Sequence, residues 1–287
     1  MTSADWPAPA KLNLFLHVLG RREDGYHELQ TAYQLIDLAD DLSFRLREDG
    51  EIRRLEGPPS VPAQTDLTVR AARRLQAAAN SRRGVDIRIR KRIPIQGGLG
   101  GGSSDAATTL VALNELWGLH MPVEKLAGIG RELGADLPLF IHGHSAWGEG
   151  VGERITPMDL PPRHYAVIFP GIGVSTAEVF QASELTRNSP SLTIRGFLQA
   201  GGRNDCAPVA TGRYPEVARA LGWLARRGDA RLTGTGSCVF AGFAERAQAE
   251  AALSELPGEW SGFVAQGLDQ SPLQERLAAE RARHGQG

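Results

Sequence analysis

Pro94-Ile-Gln-Gly-Gly-Leu-Gly-Gly-Gly-Ser-Ser-Asp-Ala-Ala, residues 94–107, sets five glycines within six positions directly ahead of a helical pattern. Glycine reaches φ > 0 at no steric cost and lets a ligand come close to the main chain. The helix that follows is marked by Ala106, Leu110, Leu113 and Trp117, spaced by three and four, an apolar stripe along one face. Ser103 or Ser104 stands where it can cap that helix, whose first N–H groups lack internal partners and carry partial positive charge. The result is an anion site, and phosphate is the usual anion at such sites. A plain turn would not need so many glycines, each of which costs conformational entropy on folding. The stretch contains no lysine, so it is not G-x-x-x-x-G-K-[ST], and no G-x-G-x-x-G register fits it. Asp105, in the first helical turn, suits the positive end of the helix dipole.

Outward from this loop, the first third of the chain reads as strands. Residues 11–18 alternate, with Leu12, Leu14, Leu16 and Val18 on one face and Lys11, Asn13, Phe15 and His17 on the other. Residues 29–37 and 41–47 predict two further strands. Residues 65–80 predict a helix capped by Thr65 or Asp66. Residues 85–90 predict a strand with Val85, Ile87 and Ile89 inward and Asp86, Arg88 and Arg90 outward. Residues 123–133 predict a helix that stops at Gly134. Pro157, Pro161 and Pro162 mark a boundary, which divides the chain into 1–158 and 159–287. Beyond it come a strand at 165–169, several helices, an Ala/Glu-rich helix from about residue 244, a strand at 262–266 and a basic terminal helix. Strands and helices mix without a regular βαβ beat, so the expected class is α+β. The basic run Arg88, Arg90, Lys91 and Arg92 and the charged residues 275–283 both read as solvated faces.

Hydrophobic residues make up 41% of the 287 and charged residues 23%, which excludes a disordered chain. Thirty-two basic residues balance 33 acidic ones, so no net field draws the chain to nucleic acid or to an anionic membrane. Apolar runs fall short of the roughly 20 residues a membrane span needs. Residues 1–15 lack a basic segment followed by an apolar core, so a cytoplasmic chain is expected. Cys206 and Cys238 stand alone, fitting neither a disulfide framework nor a thiolate zinc site. His142 and His144 lack further ligands at metal spacing, and no protein metal site is expected.

Three stretches taken together resemble the GHMP kinases, ATP-dependent kinases of small molecules named for galactose, homoserine, mevalonate and phosphomevalonate. They are Pro9-Ala-Lys-Leu-Asn-Leu-Phe-Leu, the glycine loop at 94–104 and Leu232-Thr-Gly-Thr-Gly-Ser-Cys-Val-Phe. Three more narrow the likeness to the branch whose acceptor is a tertiary hydroxyl on a cytidine-diphosphate-linked polyol. These are Arg21-Arg-Glu-Asp-Gly-Tyr-His-Glu-Leu-Gln, Gly134-Ala-Asp-Leu-Pro-Leu-Phe and Gly143-His-Ser-Ala-Trp-Gly-Glu-Gly-Val-Gly-Glu. The likeness runs from Trp6 to about Leu273, with Gln96 where some members carry glycine. It implies two lobes: an N-terminal one like ribosomal protein S5 domain 2 and a ferredoxin-like C-terminal one, with the site in the cleft between them. It implies ATP accompanied by Mg2+, no nucleic-acid or membrane partner, and a monomer or weak homodimer. An RNA-binding use of the ribosomal-type lobe is disfavoured by the neutral charge balance.

Residue by residue, the likeness assigns ATP to Pro94, Ile95, Gln96, Gly97, Gly98, Leu99, Gly100, Gly101, Gly102, Ser103 and Ser104. It leaves the adenine pocket unassigned beyond the span 49–70. On pattern alone, Lys11 and Asp136 read equally as a structural ion pair or a catalytic one; the resemblance favours the catalytic reading. Asp136 is then the base and Lys11 the charge that stabilises it and the migrating phosphoryl group, with Asn13 beside Lys11 donating to a substrate oxygen. Tyr26 and Phe180 are expected to sandwich a cytosine, with His27 bonding its polar edge and Thr176 contacting the diphosphate or polyol. Gly234, Thr235 and Gly236 offer further main-chain N–H groups for phosphate.

Overall fold

The computed structural model describes residues 2–284. Two long strands, β1 (Thr2–Arg21) and β2 (His27–Arg47), pair antiparallel around a turn at residues 22–26. Asp24 closes that turn by accepting from the Tyr26 N–H at 3.1 Å, the local bonding that suits aspartate to turns. The two strands expected at 29–37 and 41–47 are one. Pro9 pairs with Ala39 and Ala10 with Ile36, so β2 absorbs a bulge and continues through it. A second register shift falls between Asn13 and Phe15 and breaks the strict alternation expected of residues 11–18. Lys11 and Asn13 line the cavity described below, and past the shift Leu16 does so rather than Phe15. Phe15 packs instead against Trp147 and Phe197.

Next along the chain, β3 (Ile52–Glu56) pairs parallel with β4 (Gly84–Arg90), with α1 (Leu67–Ala78) between them. Asp66, not Thr65, caps α1, accepting from Thr68 N–H at 2.8 Å. Asp86 is buried rather than outward, because Arg45 and Arg47 of β2 pair with it. Then α2 (Gly101–Leu116) runs buried on all sides from Ser104 to Glu115, which accounts for its small, apolar composition. The helices α3 (Val123–Arg131) and α4 (Leu137–His142) pack against it, and the hairpin of β5 (Ala146–Gly150) and β6 (Arg154–Pro157) adds to the edge of β2. Trp6, Phe44, Leu75, Leu110 and Phe140 anchor the shared core.

The second half is built on β7 (His164–Phe169), β8 (Ala230–Leu232), β9 (Val239–Phe243) and β10 (Ser261–Leu268). Its helices are α5 (Thr176–Gln181), α6 (Ile194–Ala200), α7 (Ala207–Arg213), α8 (Pro215–Ala225) and α9 (Arg246–Ala252). Val179, Val209, Trp223 and Val239 belong to its core. The strand order β3-β4-β2-β10-β7-β9-β8 joins the halves: β10 pairs with β7 along its length and, through Gly267 and Leu268, with β2.

The last helix, α10 (Pro272–His284), returns to the first core, where Leu273 and Leu277 are buried. A division at 158/159 therefore leaves this helix packed across it. Nor is its charged face fully solvated: Arg276 lies 4.4 Å over the Trp6 ring and pairs with Glu280 at 2.6 Å. Both cysteines are buried, and burial raises both thiols, that of Cys206 to about 12. No helix among the described residues is long and apolar enough to cross a membrane.

Candidate active site

A cavity of about 600 Å³ opens between the glycine loop, the middle of β1, α5 and the turn linking β8 to β9. Gly100, at φ +74°, occupies the cap position of α2, and no side chain caps it. The helix thus begins before Ser103 and Ser104, and neither serine is a cap. A start made of glycine leaves the first amides uncovered. Those of Gly101, Gly102 and Ser103 have no acceptor among the described residues, whereas Ser104 N–H bonds the Gly100 carbonyl at 2.9 Å. Ser103 lines the cavity with Pro94 through Gly102. Ser104 does not; it is fully buried, its hydroxyl without a partner.

The loop is pinned from two sides. Lys11 N–H donates to the Leu99 carbonyl and Cys238 N–H to that of Gly97, each at 3.0 Å. The Gly98 carbonyl accepts from the Lys11 ammonium at 3.0 Å and the Thr233 hydroxyl at 3.2 Å. Gly98 itself has φ +77°, and a Cβ there would run into the Thr233 carbonyl, so only glycine fits.

Across the cavity, Lys11 Nζ and Asp136 Oδ2 face each other at 3.8 Å. Lys11 comes from β1 and Asp136 from the cap position of α4, far apart in sequence. Asn13 Oδ1 accepts from Lys11 Nζ. Its amide is oriented by Thr31, whose hydroxyl donates to the Phe15 carbonyl and accepts from Asn13 Nδ2 at 2.9 Å. Burial pulls the Lys11 pKa below its ordinary 10.5, and the Asp136 charge opposes that pull. Tyr33, from β2, donates to Asp136 Oδ1 at 3.1 Å. Nothing in the sequence marks Tyr33, which sits in an apolar strand.

Beneath the loop, Lys91 bonds Asp40 at 2.5 Å and Asp105 at 2.7 Å. Asp40 also accepts from the amides of Arg92 and Ile93, fixing how the chain enters the loop. Lys91 thus leaves the solvated run to which its neighbours belong, and Asp105 lies in a buried ion cluster instead of serving the helix dipole alone. Burial, reinforced by the neighbouring Asp40 against the opposing pull of Lys91, raises Asp105 to about 8. Pro58, Val61, Thr65, Asp66 and Leu67 complete the wall, within the span 49–70 left open for a nucleobase.

The remaining predicted residues divide. Asn13, Thr176, Phe180, Gly234 and Thr235 line the cavity, and the Thr176 and Thr235 hydroxyls meet at 3.1 Å. Gly236, His27 and Tyr26 do not line it. The His27 ring stacks on Phe180, centroids 5.2 Å apart and planes at 27°, and its Nε2 accepts from Arg187 Nε at 3.0 Å. Burial lowers the His27 pKa, and the Arg187 charge adds to the effect. Tyr26, 65% exposed, stands on the turn outside the wall. The ring against Phe180 is that of His27, and Tyr26 stands apart from it. Among the described residues, no group of three or more His, Cys, Asp or Glu side chains is placed to hold a metal.

Two family models match the chain: GHMP kinases N terminal domain over residues 66–144 and GHMP kinases C terminal over residues 188–262. A 4-diphosphocytidyl-2-C-methyl-D-erythritol kinase of Halorhodospira halophila is 59% identical over 283 residues, covering 98% of each chain. The protein of that name from Alkalilimnicola ehrlichii is 57% identical over 279 residues, covering 97% of this chain and 96% of that one. A crystal structure of 4-(cytidine 5'-diphospho)-2C-methyl-D-erythritol kinase superposes with a TM-score of 0.80 at 34% identity, covering 93% of this chain and 99% of that one. The Methanococcus jannaschii mevalonate kinase, at 15% identity and a TM-score of 0.65, shares the fold. With its two-lobed α+β architecture and its pinned glycine loop, the chain belongs to the GHMP kinase family.

Proposed function

We propose that this chain transfers the γ-phosphate of ATP to the tertiary 2-hydroxyl of 4-diphosphocytidyl-2-C-methyl-D-erythritol, a step in non-mevalonate synthesis of isoprenoid precursors. The observation that carries this reading is the Lys11–Asp136 pair, 3.8 Å apart, beside a cradle of free helix amides. Relatives matched over nearly their whole length bear the name of that reaction. In the step, the acceptor oxygen bonds the γ-phosphorus, the bond to the β–γ bridging oxygen breaks, ADP leaves, and the hydroxyl proton passes to Asp136. Lys11 faces Asp136 and offsets charge growing on the phosphoryl oxygens. The amides of Gly101, Gly102 and Ser103 hold the ATP phosphates, and 94–100 and the wall from Pro58 to Leu67 hold the rest of the nucleotide.

ATP enters as its Mg2+ complex. The Ser103 hydroxyl, on the cavity wall, is a hard oxygen donor that would fit such an ion, which would supply neutralising charge to the phosphates. Phe180, backed by His27, offers a flat face to cytosine, and Tyr26 closes over the base from its exposed turn. Thr176, Gly234 and Thr235 serve the substrate's diphosphate and polyol; Gly236, expected to offer a further N–H, spends it on the Thr233 carbonyl at 2.9 Å. Asn13 orients Lys11 and spends its remaining N–H on the substrate. The protein acts in the cytoplasm as a monomer or weak homodimer, with the ATP lobe ending near residue 158.

Phosphorus NMR of the chain mixed with Mg2+, ATP and the cytidine substrate tests this reading. A new phosphomonoester signal growing with ADP is expected, and none with mevalonate, homoserine or galactose as acceptor. Turnover of one of those three without turnover of the cytidine compound moves the chain to another branch of the family.

A further inference from the structure

The glycine-rich stretch 143–153 takes no part in the phosphate cradle. It builds the β5–β6 hairpin on the edge of β2, and what it encloses is Tyr33, only 3% exposed. A Cβ on Gly148 would lie 2.5 Å from Tyr33 Cε2. One on Gly152, where φ is +108°, would lie 2.5 Å from the Tyr33 hydroxyl oxygen. The hairpin backbone therefore comes as close to the tyrosine as glycine alone permits. At its tip the ring reaches the cavity wall, where its hydroxyl meets Asp136 Oδ1 at 3.1 Å while Asp136 Oδ2 faces Lys11 at 3.8 Å. Although it occupies a cap position, Asp136 makes no capping bond. Its two oxygens thus have different neighbours, and the tyrosine is the one that clamps it.

We propose that Tyr33 is a positioning residue for Asp136, donating to Oδ1 so that Oδ2 is the oxygen left to take the acceptor's proton, and that the glycine hairpin exists to hold Tyr33 there. The inference rests on the base role assigned above and deepens it. Burial and the Asp136 charge push the tyrosine hydroxyl well above its ordinary pKa, so it stays protonated and donates. The Glu153 charge adds to the push on the tyrosine. Glu153, on the hairpin, accepts from Val151 N–H at 2.7 Å. On α2, Asp105 pairs with Lys91, and on α3, Glu124 lies 3.9 Å from His142.

Tyr33→Phe keeps the ring and removes only the donor. With Mg2+, ATP and the cytidine substrate, kcat is expected to fall about tenfold with both KM values nearly unchanged. An unchanged kcat, or a rise in either KM with kcat unchanged, overturns the proposal. Gly152→Ala drives a methyl onto the hydroxyl and is expected to mimic Tyr33→Phe. The double variant is expected to be no worse than the poorer single, because phenylalanine relieves the clash; losses that multiply overturn the hairpin's part. Turnover by the unaltered chain is measured first, so that absence of the reaction itself is told apart from failure of the Tyr33 assignment.

Discussion

Lys11 has given up nearly all its hydration, and a buried ammonium without partners would lose its proton. It is held by Asn13, the Gly98 carbonyl and Asp136, so the same contacts that place the charge also keep it charged. Lys11, Asn13 and Asp136 were legible as one cluster only through the family motifs they lie in, since pattern alone left the Lys11–Asp136 pair open between a structural and a catalytic reading. Tyr33, Thr31, Asp40 and Lys91 were not, because their partners are brought by other strands and nothing near them in the chain points to a site. Tyr26 and His27 show the limit of a motif: the turn was readable, but which ring faces Phe180 depends on how the strand leaves that turn. Phe180→Ala removes one stacking face, worth about 1–3 kcal/mol. Steady-state kinetics should show KM for the cytidine substrate rising roughly tenfold with KM for ATP nearly unchanged. Equal effects on both substrates would contradict the stacking role.

The helix α2 carries the loop, and its placement rests on the Lys91 bridge between Asp40 of β2 and Asp105. The glycine cluster announced the loop, but the start of the helix could not be read. A side-chain cap is visible in sequence, whereas a start made by backbone geometry at Gly100 is not. The double shift that joins two expected strands into β2 was equally hidden, since a bulge leaves the apolar pattern broken in the same way as a loop does. One lysine between two buried carboxylates leaves the second acid uncompensated, and Asp105 is raised from 3.8 to about 8. A folded pKa above the unfolded one favours folding fully below the unfolded value, and that contribution is lost as pH rises toward the folded value. Asp105→Asn should therefore gain stability relative to the unaltered chain between about pH 4 and pH 8, as read by urea denaturation across that range. A constant difference across the range would show that Asp105 titrates normally.

In the whole molecule, the two halves share one sheet through β10 and one core through α10. The fold class and the site's place between the halves were legible from motif order. The crossing of α10 was not, because charged residues at 275, 276, 280, 281 and 283 dominate its pattern and only Leu273 and Leu277 reach the distant core. Leu273→Ala should therefore cost about 2–5 kcal/mol, measured by urea denaturation, although it lies well beyond the proline boundary. A cost near zero would make α10 peripheral. The account depends most on Asp136 acting as the base across from Lys11. Single-turnover kinetics of Asp136→Asn, with ATP affinity measured on the same sample, tests this most directly. Phosphoryl transfer should slow by about 100-fold to 10,000-fold with ATP binding nearly unchanged; transfer at close to the normal rate would contradict it.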